Sequence, residues 1–134
     1  MKKDINFHQV EGVSVAIARE ENELGQDEWN VYFINNNNYP LDNVIIASKG
    51  YGQVEGEDVK TSVLRHVFEN VAPKSFVQVE PIDPALFHIT NEYWVSYYID
   101  KTIYDKKFLF VPETVIEQNL IDISILEKKG ILHS

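Results

Sequence analysis

With 134 residues, 12 basic against 21 acidic side chains and no cysteine, the chain sets firm limits before any element is placed. A net charge of −9 opposes phosphate backbones and anionic bilayers, which argues against nucleic acid and membrane surfaces as partners. The lack of cysteine removes disulfide frameworks, thiolate metal sites and Cys nucleophiles, and 44% hydrophobic residues suffice for one core, so residues 1–134 read as a single domain.

The first residues, Met1 to Asn6, carry Lys2 and Lys3 but no apolar stretch after them, so no secretory signal is expected. No apolar run approaches the roughly 18 residues that span a bilayer. The expected compartment is therefore cytoplasmic.

Two-residue alternation, which places every second side chain on one face of a strand, is the dominant pattern. Val13, Val15 and Ile17 alternate with small or polar residues, and Trp29, Val31 and Phe33 do so after the acidic stretch Glu20 to Glu28, which predicts a first hairpin. Asn35 to Asn38, Tyr39, Pro40 and Asp42-Asn43 then form a loop, since Asn and Asp cap local backbone. The unbroken run Val44-Ile45-Ile46-Ala47 predicts a strand covered on both faces, and Gly50-Tyr51-Gly52 a turn. Thr61 to Val71 resumes in β-favouring residues, Ala72 to Ser75 makes a corner, and Phe76 to Glu80 alternates again until Pro81 and Pro84 interrupt.

Tyr93-Trp94-Val95-Ser96-Tyr97-Tyr98-Ile99 is the densest β signal, with Phe108 to Val111 as its hairpin partner. Ile116 to Ile121 suits a helical turn or a short strand, and Leu126 to Gly130 a short helix ending at the glycine. About seven short strands without a helical period describe an all-β chain, an immunoglobulin-like two-sheet antiparallel β-sandwich with at most a short helix near the C-terminus.

Two resemblances bear on this reading. The stretch from Trp29 to Ser48, a strand ending in Ile-Asn, a polar loop and then Asn-Val-Ile-Ile, resembles the second hairpin of immunoglobulin-like sandwich modules such as appendage-type domains. The Val71-Ala72-Pro73-Lys74-Ser75 corner is similar to their inter-sheet corner, whereas the Cys-Trp-Cys core of antibody domains is absent, so the resemblance implies architecture alone. The whole chain also resembles short bacterial proteins labelled phenylalanyl-tRNA synthetase alpha subunit. Synthetase catalysis needs arginines beside a Gly-rich motif to hold ATP phosphates, and this chain offers only Arg19 and Arg65, neither beside such glycines.

The histidines His8, His66, His88 and His133 form no local ligand motif, and no Gly-x-Ser-x-Gly, Walker loop or dinucleotide fingerprint occurs. No catalytic, cofactor-binding or metal residue is assigned. His66, alternating with Leu64 and Phe68, reads as a partly buried polar member of a strand face. The clusters Glu20-Glu21-Glu23 with Asp27-Glu28, and Glu55-Glu57-Asp58, read as solvated loops; calcium binding would need them to converge.

The aromatic residues carry the binding candidates. Alternation puts Tyr93, Val95, Tyr97 and Ile99 on one face and Trp94, Ser96 and Tyr98 on the other. One set is core; the other is either covered or forms, with Tyr32 or Tyr39, a patch for a protein or a sugar, and Tyr32, Trp94 and Tyr98 are the candidate residues. The leading reading is a non-catalytic interaction module with a protein partner. Its alternatives are a carbohydrate- or calcium-dependent binding domain and an accessory subunit of an enzyme such as an aminoacyl-tRNA synthetase. The Tyr93–Ile99 and Phe108–Val111 strands lack the inward charges and prolines that blunt a sheet edge, although Lys106 and Lys107 guard one end, so they are either central in a monomer or paired in an edge or face homodimer.

Overall fold

The alternation is realised as ten strands, and the residues described by the computed structural model, 10–134, form two antiparallel sheets. In chain order the strands are β1 (Val13–Glu21), β2 (Asp27–Asn35), β3 (Leu41–Val54), β4 (Glu57–Lys60), β5 (Leu64–Val71), β6 (Ser75–Pro81), β7 (Thr90–Ile99), β8 (Thr102–Phe110), β9 (Ile121–Ile123) and β10 (Lys128–His133). The first sheet has the order β6-β2-β1-β10-β9, and the second β4-β3-β7-β8, with β5 also pairing β3. Val15, Ile17, Val31 and Phe33 from the first sheet pack on Val44, Ile46, Tyr93, Val95 and Phe110 from the second, all within 2% of full burial. Among the described residues no helix is long and apolar enough to cross a membrane.

The first hairpin, the Ala72–Ser75 corner and the β7–β8 hairpin form where alternation places them. Four local expectations change. Trp29 to Ser48 is not a hairpin, because β2 and β3 lie in different sheets and the Asn-rich loop carries the chain across. Asn35 anchors that crossing, its buried side-chain amide donating to the carbonyls of Tyr39, Val71 and Ala72 at 3.0–3.2 Å. The Val44–Ala47 run is covered on one face only, with Val44 and Ile46 buried while Ile45 is 38% exposed.

Gly50-Tyr51-Gly52 lies inside β3, and the chain turns instead at Glu55 and Gly56, both at positive φ. A Cβ on Gly52 would stand 3.2 Å from Ile89 Cβ, so the glycine marks close packing against the segment after β6. The helix expected at Leu126–Gly130 is a turn followed by the start of β10. Gly130 is required there by its neighbour across the ladder, Ala18 on β1.

The outer face of the first sheet is also closed. Ala16, Ala18, Tyr32 and Ile34 form a second, smaller core with Ile123 and Leu126, so the turn between β9 and β10 covers the outer sides of β1 and β2. That is why six consecutive residues of β1, Val13 to Ala18, are all buried. The outer face of the second sheet has no such cover among the described residues.

Two outcomes are expected from this packing. A Cβ at Gly130 would run into the Ile17 carbonyl oxygen and sit 2.8 Å from Ala18 Cα, both backbone atoms, so Gly130→Ala should destabilise by about 1–3 kcal/mol in urea unfolding. His133 packs on Phe110 at 4.3 Å between ring centroids, and burial lowers its pKa from 6.5. The unfolded chain then takes up the proton at higher pH than the native one. Stability should be full above pH 6.5 and decline as pH falls below it, and His133→Leu should flatten that part of the stability–pH curve.

Candidate functional site

The open outer face of the second sheet gathers two of the three aromatic candidates. Trp94 stands on β7 directly opposite Ala47 on β3 and Lys107 on β8, and Arg65 on β5 lies beyond Ala47, so one row crosses four strands. The next row is Val67, Ile45, Ser96 and Asp105, and Tyr98 and Ile103 follow it. Val67 is 66% exposed, Ile103 53%, Trp94 46% and Leu109 44%. Scattered apolar residues are ordinary on a surface, but adjacent ones in register form a patch.

Trp94 is held rather than loose. Its indole N–H donates to Asp105 Oδ2 at 3.2 Å, and Lys107 Nζ lies 4.9 Å from the ring centroid. The result is an aromatic platform with Lys107 lying over the ring, Asp105 at the indole N–H and Arg65 further along the same row.

Tyr32 does not join this platform. It lies in the other sheet, buried in the smaller core against Phe76 at 5.8 Å, and its hydroxyl donates to Glu20 at 3.3 Å. Burial, with the Glu20 charge behind it, pushes its pKa up to about 12. Tyr39 sits 41% exposed in the β2–β3 loop.

A second cluster lies inside the sandwich. A register shift between Val31 and Tyr32 marks a bulge opposite β6: Tyr32 faces Gln78, Val31 faces Glu80, and Val79 is the extra residue. Regular alternation would send Glu80 outward with Gln78; the bulge turns it inward with Val79. There Glu80 Oε1 accepts from Ser48 Oγ at 2.8 Å and meets His66 Nε2 at 2.7 Å, and the carboxylate also bonds the Tyr93 hydroxyl. Burial first, and then Glu80, raises the pKa of Tyr93 and keeps its proton on. A carboxylate from the first sheet is thus gripped by donors on β3, β5 and β7 of the second.

Beside this tie a cleft of about 200 Å³ is lined by Ser48, Gly50, Thr61, Leu64, Glu80 and Tyr93. Its chemistry is not that of an activated serine, in which an imidazole holds the hydroxyl and a carboxylate holds the imidazole. Here hydroxyl and imidazole both address one carboxylate oxygen, so neither acts on the other.

The remaining candidates are dispersed. Arg19 bonds Glu117 at 2.6 Å and lies over Trp29, while Arg65 is on the opposite sheet, so the two arginines share no site. His88 pairs with Glu113 at 2.7 Å on the surface, His133 lies at the Phe110 ring, and His8 falls outside the described residues. Among the described residues no three His, Asp or Glu side chains gather as a metal site. No family model, curated protein or solved structure matches the chain.

Glu80 is 14% exposed at its side chain, so removing it leaves buried donors without an acceptor. Glu80→Ala should cost about 3 kcal/mol in urea unfolding, and Glu80→Gln, which keeps one acceptor oxygen, less than half of that. Equal midpoints for wild type and Glu80→Ala would remove the tie from any account of stability.

Proposed function

We propose that the protein is a non-catalytic interaction module of the immunoglobulin-like sandwich type, which docks a partner protein on the outer face of its second sheet. The observation that carries this is the asymmetry of the two outer faces. One is sealed by its own small core, and the other leaves Trp94, Val67, Ile45, Ile103 and Leu109 in register toward solvent. The partner that fits is a protein surface with an apolar centre and carboxylates placed over Arg65 and Lys107. Aromatic and arginine side chains at the middle of a flat patch are the usual anchors of such contacts.

The strand order supports the architectural half of the reading. β2 pairs β6 in one sheet while β3 pairs β7 in the other, and β7–β8 closes as a hairpin. The B–E, C–F and F–G pairings of immunoglobulin-type sandwiches have this arrangement. β4, β5, β9 and β10 lie outside those three pairings, and β5 joins the sheet of β3 rather than that of β1, β2 and β6.

A flat indole ringed by polar groups also favours a second reading, in which the same platform takes a sugar ring. Thermal melts against a glycan panel separate the two, since a ligand at 100 times its dissociation constant stabilises by about 2.7 kcal/mol. For the protein reading, Trp94→Ala and Val67→Asp should each change stability by less than about 1 kcal/mol, because both side chains are exposed. Tyr93→Ala, from the core, should cost about 3–5 kcal/mol. Affinity capture from the native host should recover a partner with wild type and lose it with both surface variants. A partner retained equally by both would place the docking site elsewhere.

A further inference from the structure

We propose that β8 pairs antiparallel with β8 of a second copy of this chain, about a two-fold axis at Lys106. β8 ends its sheet and pairs β7 alone among the described residues. Its nine residues contain no proline, and its pairing with β7 has no bulge, so two common devices that blunt a sheet edge are missing.

The sequence supplies the register. In an antiparallel pair, directly opposed residues lie on the same face, so a two-fold relating the strand to itself must be centred on a residue. Centred on Lys106, Ile103 opposes Leu109, Asp105 opposes Lys107 and Tyr104 opposes Phe108, each twice by symmetry. This gives aliphatic on aliphatic, anion on cation and aromatic on aromatic. Centring on Asp105 or Lys107 equally opposes a charge to itself at the axis, but it loses the Asp105–Lys107 pair and sets Ile103 against Lys107 or Asp105 against Leu109.

The self-opposed Lys106 is already drawn to its own chain. Its Nζ donates to the Ser134 carbonyl at 2.9 Å and lies 5.2 Å from the Phe108 ring centroid. Ile103, Asp105, Lys107 and Leu109 face outward on the same side as Trp94. Pairing at β8 therefore joins two open faces into one continuous sheet carrying two Trp94 platforms. This goes beyond the docking reading and holds whichever partner covers the platform.

Sedimentation of the full chain across micromolar to millimolar concentrations should show reversible association to twice its 15.5 kDa mass. Asp105→Lys places lysine opposite lysine in both symmetric pairs and should weaken association by about tenfold or more. Adding Lys107→Asp restores opposite charges and should recover most of the loss, although Trp94 lacks its Asp105 partner in both variants. The chain has no cysteine, so Lys106→Cys offers a direct check on register: mild oxidation should give a disulfide-linked dimer, whereas Ile103→Cys alone should not. Circular dichroism of each variant confirms that it is folded. A chain that stays monomeric throughout overturns the proposal. So does a dimer indifferent to Asp105→Lys, a double variant no better than the single, or cross-linking at residue 103 in preference to 106.

Discussion

The two sheets are tied across their shared interior by one carboxylate, and its position depends on a single extra residue in β6. Hydrophobic packing alone is non-directional and would tolerate some sliding of one sheet over the other. Glu80 removes that freedom, because one side chain from the first sheet must meet Ser48, His66 and Tyr93 from three strands of the second. A buried polar group is tolerated only when its partners are in place, so the tie is specific in the way that a methyl contact is not. The bulge at Val79 is what makes this possible, since a regular β6 would present Glu80 to solvent.

The chain treats its two outer faces in opposite ways. On the first sheet, Ile123 and Leu126 cover Ala16, Ala18, Tyr32 and Ile34, so residues 13–18 of β1 and 30–35 of β2 are buried on both sides. On the second, the side chains are mixed, and Trp94 is fixed in orientation by Asp105 and Lys107 instead of by a covering layer. A side chain oriented in advance loses less freedom when something settles on it, which favours recognition over mere exposure.

Much of this was legible in the residues. Period two set the class, the first hairpin, the corner before Phe76 and the division of β7 into two faces, while the structure alone decides that Tyr93, Val95 and Tyr97 are the buried set and Trp94 faces outward. What was not legible has three physical sources. Glu80 alternates as an outward residue, and a bulge leaves no mark in composition. Gly50 and Gly52 suit a turn by sequence, and only Ile89, brought in from elsewhere, shows that they make room for a neighbour instead. The Lys128-Lys129-Gly130 ending suits a helix terminus, yet Gly130 answers to β1, far away in sequence. For the same reason Tyr32 looked like a surface aromatic, since the residues that bury it come from the β9–β10 turn.

The position of β1 between β2 and β10 has a kinetic side. Ser14 and Ser134, 120 residues apart, share a hydrogen bond at 2.9 Å, and the ladder beside them joins the two ends of the described sequence. Contacts of such separation form slowly, because the chain must close a long loop before any pairing rewards it. During synthesis, the β1–β2 hairpin emerges early with one edge bare and an apolar outer face uncovered, and it must wait in that state for β10. A bare edge and an uncovered apolar face are the features through which an incompletely folded chain associates wrongly, so the return of β10 closes both at once.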